Sequence, residues 1–245
     1  MNERGKYVLN LLRGPGVLTD ELRRELMELL IFPPEKRRMS YEEFLEWADE
    51  DTLAEWVDGE VIMYSPASDR HQDLVRFLSA VLSIYVEVHE SGVIRPAPFQ
   101  MKLAHSGREP DLMFVARGHL DRLKETHLDG PADLVVEVVS PESVRRDRGE
   151  KFYEYQEAGI PEYWLIDPDE EWAEFWVLKP SGRYHLAMEG REGEYRSQAI
   201  EGFWLRVEWL WQKPLPSVDE VMLEIGGEVY ARRLIERLRE QGFLS

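Results

Sequence analysis

Apolar residues along the chain repeat with two periods, and the points where the period changes mark its elements. Leu74, Phe77, Leu78, Val81, Leu82 and Tyr85 recur in steps of three and four, the stripe of an amphipathic helix. Another helical stretch runs from Thr19 to Ile31, with Thr19 or Asp20 as N-cap and IFPPEKRR as its exit. In MSYEEFLEWADED, Ser40 stands three positions ahead of Glu43, the capping box of a short helix. RRDRGEKFYEYQEAGIP predicts a further helix that ends at Gly159, with Pro161 just beyond.

Elsewhere the period is two. EWVDGEVIMYS holds two short apolar segments around Asp58-Gly59, the sequence signal of a tight hairpin. Strands are expected at Val93–Ile94, PFQMKL, DLMFV, YWLIDP, EFWVLKPSGRYHLAM and near FWLRVEWLW, with one or two helices between Val218 and Gln241. DLVVEVVS is apolar on both of its faces, which predicts a central strand covered from both sides. Helix, strands, helix, strands in that order argue an α/β (α+β) domain, a mixed β-sheet flanked by helices. The expected organisation is a helical extension over 1–39, a core over 40–190, and a strand with helices over 191–245 packed on that core.

Composition narrows the function classes. Hydrophobic residues make up 43% and aromatics 11% of the 245, too much for a disordered chain. With no cysteine, disulfides and thiolate metal sites are excluded. No apolar run reaches a membrane-spanning length, and MNERGKYVLNLLRG lacks the layout of a signal peptide; a cytoplasmic protein is expected. The net charge of -18 opposes nucleic-acid binding unless basic residues cluster or metal ions intervene.

The candidate chemistry starts at Glu137. Side chains alternate along a strand, so Glu137 shares a face with Val135 and Val139 while Leu134, Val136 and Val138 take the other. An unpaired carboxylate in an apolar layer costs on the order of several kcal/mol or protonates, so a partner is expected. Asp111 follows Pro110 at the mouth of the DLMFV strand. If the two strands are neighbours, their carboxylates meet and repel unless a divalent cation neutralises them. All-oxygen ligation suits Mg²⁺ or Mn²⁺. At about 100° per residue, Lys151 falls on the apolar face of its helix with Arg148, Phe152 and Tyr155, and Glu150, Glu154 and Glu157 on the solvated side. Glu60, after the Asp58-Gly59 turn, and His71, in the first turn of the long helix, are accessory candidates. Each has an ordinary reading too. Asp111 could cap a turn, Lys151 could extend its ammonium to water, Glu60 could be a plain hairpin residue and His71 a core histidine. Arg145, Arg146 and Arg148 could contact phosphates or be a solvated helix start, and Trp204, Trp209 and Trp211 read as core or interface.

An acid after proline, an acid in a buried strand and a nearby lysine resemble the PD-(D/E)XK nuclease superfamily. More narrowly, DGEVIMYSPASDRHQ, REPDLMFV and DLVVEVVSPESVRRDRGEKFYEYQEAGIPEYWLIDP, from about Leu53 to about Tyr184, resemble the bacterial Uma family of putative restriction endonucleases. The resemblance implies a restriction-endonuclease-like core and metal-dependent phosphodiester cleavage of DNA. It makes Asp111, Glu137 and Lys151 the catalytic set, with Asp111 and Glu137 as the metal-binding acids. The superfamily pattern has a lysine two residues after the glutamate, where this chain has Val139; Lys151 is its migrated replacement. The alternatives are a non-catalytic binding or scaffold module on the same fold and a phosphoesterase acting on small nucleotides. The dense apolar run EGFWLRVEWLWQKPLP would be adhesive if exposed, which predicts a homo-oligomer.

Overall fold

The computed structural model describes residues 38–48, 54–63, 67–140 and 143–243; the helix expected over Thr19–Ile31 lies outside them. Helix α1 (Tyr41–Trp47) carries the expected capping box. The Glu43 amide donates to Ser40 Oγ at 3.1 Å, and the Glu43 carboxylate accepts from the Ser40 amide at 2.8 Å. Strands β1 (Ala54–Val57) and β2 (Glu60–Met63) pair as a hairpin. Its turn holds Asp58 at φ 48 and Gly59 at φ 89, the two left-handed residues such a turn demands.

Helix α2 (Asp69–Val88) buries the whole predicted stripe from Leu74 to Tyr85. Each such residue contributes about 1.5–3 kcal/mol of burial energy. The strands that follow are β3 (Gly92–Pro96), β4 (Gln100–Lys102), β5 (Ser106–Arg108), β6 (Leu112–Ala116), β7 (His127–Asp129) and β8 (Leu134–Val138). A π-helical turn at Arg146–Lys151 leads into α3 (Phe152–Ala158), which ends at Gly159 with φ 80, a left-handed C-cap that glycine adopts without strain. Next come β9 (Glu162–Asp167), β10 (Trp172–Leu178), β11 (Tyr184–Gly190), β12 (Glu194–Arg196), β13 (Trp204–Arg206), α4 (Val218–Ile225) and α5 (Gly227–Glu240).

The main sheet has the order β11-β10-β9-β8-β6-β3. Its β8–β9 pair is parallel, while β8–β6, β6–β3, β9–β10 and β10–β11 are antiparallel. A parallel pair needs a crossover, and the π turn with α3 supplies it. A smaller sheet, β2-β1-β5-β4-β7, lies alongside. The fold is a mixed α+β sheet flanked by helices.

Strand β8 is buried on both faces. Leu134, Val136 and Val138 join the larger core with α2; Val135 and Val139 join a second core with Met113, Tyr155, Tyr163 and Leu165. Glu137 therefore projects into the second core, on the α3 side. The C-terminal run packs on the α2 side, where Phe203, Leu205, Val207, Trp209 and Leu210 are buried in the larger core. That consumes the patch from which self-association was expected, because the chain covers it itself. Among the described residues, the large apolar side chains left exposed near the C-terminus are Leu223, Val229, Leu234, Ile235 and Phe243. Among the described residues, no helix is long and apolar enough to cross a membrane.

Candidate active site

Three elements bring the central acids together. The antiparallel register sets Leu112 against Val136, and one step further places Asp111 across from Glu137 on the same face. The Val138 amide donates to Asp111 Oδ2 at 2.7 Å. His71 Nε2 lies 3.2 Å from the same oxygen, delivered by the first turn of α2, where Ser68 Oγ accepts from the His71 amide at 3.2 Å. Asp111 thus caps the edge of β8 rather than a local turn, and His71 holds its orientation.

Lys151 is buried at the end of the π turn. Its Nζ stands 2.9 Å from Glu137 Oε1, 3.2 Å from Glu55 Oε1 and 3.5 Å from Asp147 Oδ1. It does not extend to water. The Tyr155 hydroxyl, one turn on, donates to the same Glu137 Oε1 at 2.9 Å. Glu55, on β1, links this cluster to the smaller sheet by accepting from Arg108 Nη1 at 3.1 Å and from the Glu109 amide at 3.2 Å. Arg108 Nε and Nη2 both donate to Glu154 Oε2, at 2.8 and 2.7 Å. Regular helical phasing assigned Glu154 to the solvated side; instead it is the counter-ion of a buried arginine. The π turn explains part of the difference, because its wider i→i+5 bonding changes the phase of the helix, and such turns recur at functional sites.

Anions outnumber cations here. Burial pushes the Glu137 carboxyl up to about 8, with Asp147, Asp111 and Glu55 adding to the rise and Lys151 opposing it. Burial alone would lower the Lys151 ammonium, but Glu137, Glu55 and Asp147 outweigh it and hold it above the usual lysine range. Burial would likewise raise Glu55, yet Lys151, Arg108 and Arg146 keep it below the usual carboxylate range. These directions are mutually consistent: the ammonium stays charged, and Glu137 takes up a proton more readily than Glu55.

These groups open onto a cavity of about 790 Å³. Glu55, Glu109, Asp111, Glu137, Asp147 and Asp169 line it against Arg146 and Lys151. Among the described residues, every hydrogen bond to Asp111 and Glu137 side chains ends on Oδ2 or Oε1, leaving Asp111 Oδ1 and Glu137 Oε2 uncommitted. Asp147 Oδ1 is buried without a hydrogen bond. No three His, Asp or Glu among the described residues converge into a ready cage. Two carboxylate edges beside open space nevertheless fit a hard divalent ion, since Mg²⁺ takes one or two carboxylates and completes its shell with water or phosphate oxygens.

The structure thus brings Asp111, Glu137, Lys151 and His71 together around one cavity. Glu60 is not among the residues lining it. It pairs with Val57 on the face that Glu55 occupies, about 7 Å nearer the turn along the strand, and Glu55 takes the place assigned to it. Glu55, Asp147 and Arg108 were not singled out from the sequence. Asp147 had a signal, the i,i+4 spacing to Lys151; Glu55 had a weaker one, its shared face with Glu60; Arg108 had none.

A family model described as "Putative restriction endonuclease" (Uma2) matches residues 41–208. The chain belongs to that family. Among solved structures, this Uma2 protein resembles one described as a putative nuclease belonging to DUF820 from Anabaena variabilis. The TM-score is 0.60 at 15% identity, over 71% of this chain and 97% of the other; at that identity the likeness is one of fold. No curated protein matches the chain. Restriction-endonuclease-like families generally use divalent metals and act on nucleic acid.

Proposed function

We propose that this Uma2 protein is a metal-dependent DNA endonuclease that hydrolyses phosphodiester bonds. In this reading Asp111 and Glu137 hold Mg²⁺ or Mn²⁺, and Lys151 completes the catalytic set. The observation that carries it is the pair of facing acids, each with an oxygen uncommitted, beside a buried charged lysine at an open cavity. A bound divalent ion would polarise the phosphate and lower the pKa of a coordinated water. Lys151 adds fixed positive charge where the phosphate gains negative charge, in a site where buried groups are screened little. His71 and the Val138 amide fix Asp111, and Tyr155 fixes Glu137, so neither acid needs to reorganise. The absence of cysteine suits a cytoplasmic setting.

The competing reading is a non-catalytic binding or scaffold module, favoured by the net charge of -18 and by Val139 in the usual lysine position. Incubating supercoiled plasmid with the protein and Mg²⁺ or Mn²⁺ separates the two. Nicking by wild type that disappears in both Asp111→Asn and Glu137→Gln supports the enzyme. An inert wild type with either metal leaves the scaffold, and cleavage that persists in both variants marks a contaminant.

A further inference from the structure

Three arginines stand together at the entry to the π turn, and their environments differ. Arg145 is exposed. Arg148 is spent on Asp167 at 3.4 Å and Glu174 at 3.0 Å. Arg146 lines the cavity with Asp111, Glu137 and Lys151, and its side chain makes no hydrogen bond among the described residues. Its Nε is buried and unbonded, and its nearest charge partner, Glu55 Oε2, lies 4.0 Å away, beyond hydrogen-bond reach. That oxygen already accepts from Arg108 at 3.1 Å. Lys151, the other cation of the cavity, is surrounded by three carboxylates. The guanidinium of Arg146 is therefore the lining cation with its donors unspent, and planar donors in a fixed fork match the oxygens of a phosphate.

We propose that Arg146 binds a backbone phosphate of the nucleic-acid substrate and seats the scissile linkage over the acid pair. This rests on the nuclease reading and adds a substrate-contacting residue to it. The alternative role, neutralising Glu55, would make Arg146 structural, and the variants must tell the two apart. Full-length protein with Ca²⁺ in place of Mg²⁺ would be titrated against a fluorescent single-stranded oligonucleotide and followed by anisotropy; cleavage kinetics would be measured separately in Mg²⁺. Arg146→Gln is expected to raise Kd and KM at least about tenfold, leave kcat within a few-fold and lower the salt slope of binding by about one. Arg146→Lys should recover part of the affinity, because the charge returns without the fork. Circular dichroism should show both variants folded, since no hydrogen bond is removed.

Wild-type Kd and KM in Arg146→Gln, with wild-type cleavage intact, would overturn this inference and leave the nuclease reading standing. A loss confined to kcat or to thermal stability would also overturn it, in favour of the structural role. A wild type that neither binds nor cleaves would overturn both.

Discussion

Glu162, fully buried at the start of β9, accepts from Trp164 Nε1, the Tyr195 hydroxyl, Ser197 Oγ and the amides of Gln198 and Ala199, at 2.6 to 3.0 Å. All five donors are neutral. Glu137, on the adjacent strand, is compensated differently: one oxygen takes an ammonium and a phenol, and the other is uncommitted. A structural carboxylate is saturated, whereas this one keeps an oxygen available beside a cation. The arrangement makes Lys151 a stability determinant as well as a catalytic candidate. Lys151→Met preserves the packed stem and deletes the charge, leaving Glu137, Glu55 and Asp147 facing one another. Removing one member of a buried ion cluster costs about 3–5 kcal/mol, so the urea midpoint should fall together with activity. The pH dependence follows from Glu137, whose folded pKa, already about 8, rises further without the ammonium. A carboxyl raised above its unfolded value binds a proton more tightly when folded, so its stabilisation is present at low pH and is lost as pH rises through the folded pKa. Of the titratable neighbours of Glu137, Glu55 keeps Arg108 and Asp111 keeps His71, whereas Asp147 loses the ammonium it faces and Tyr155 only donates its hydroxyl to Glu137. Lys151→Met should therefore recover stability from pH 9 to pH 6 more than wild type does. Equal pH slopes would show that Lys151 does not neutralise Glu137. Adding Glu137→Gln to the variant should restore part of the lost midpoint.

Among the elements, Glu162 ties residues 197–199 to β9 and so anchors the segment between β12 and β13 on the larger core. Glu162→Gln would set an amide NH₂ against donors and forfeit about 3 kcal/mol. Hydrogen exchange should accelerate at the Gln198 and Ala199 amides, with β8 amides changed much less; uniform acceleration would deny the local tie. Elements with one dominant period were legible in the sequence: the α2 stripe, the Asp58-Gly59 hairpin and the continuous apolar β8. Strand alternation and helical phase, which depend on local geometry, gave the faces of Glu137 and Lys151. That β6 pairs with β8 was a condition the sequence left open, and the family resemblance joined Lys151 to the acids. The π turn was not legible, since a single widened turn leaves no trace in an apolar period, and that accounts for part of the assignment of Glu154 to solvent. Glu55 escaped because β1 is four residues long and its burial does not alternate. Arg108 sits in a three-residue strand, too short for any period. The C-terminal run shows a different limit: its apolar density was plain, but only the tertiary fold reveals that the chain covers it.

At the scale of the molecule, a net charge of -18 and a cavity lined by six acids against Arg146, Lys151 and His71 shape any encounter with nucleic acid. Repulsion at long range slows association, and added salt weakens that repulsion as much as it weakens any attraction. Proteins that bind along a basic track lose affinity steeply with salt, because each phosphate contact releases counterions, about 0.9 per contact on duplex DNA. Here the cations positioned to meet a phosphate are Arg146 and Lys151. Binding in Ca²⁺ should therefore show a slope of log K against log[NaCl] no steeper than about -2, and flatter still at low ionic strength, where screening of the protein's own charge helps the approach. Divalent ions should raise the association rate at concentrations above those that saturate the acid pair, because they also neutralise the acidic rim. Stopped-flow association over a Ca²⁺ series at constant ionic strength separates the two effects: site filling changes affinity and levels off, while rim neutralisation continues to raise the on-rate. A slope near -6 would mean that a basic surface outside this cavity carries the binding, and the placement of the substrate over Asp111 and Glu137 would have to be abandoned.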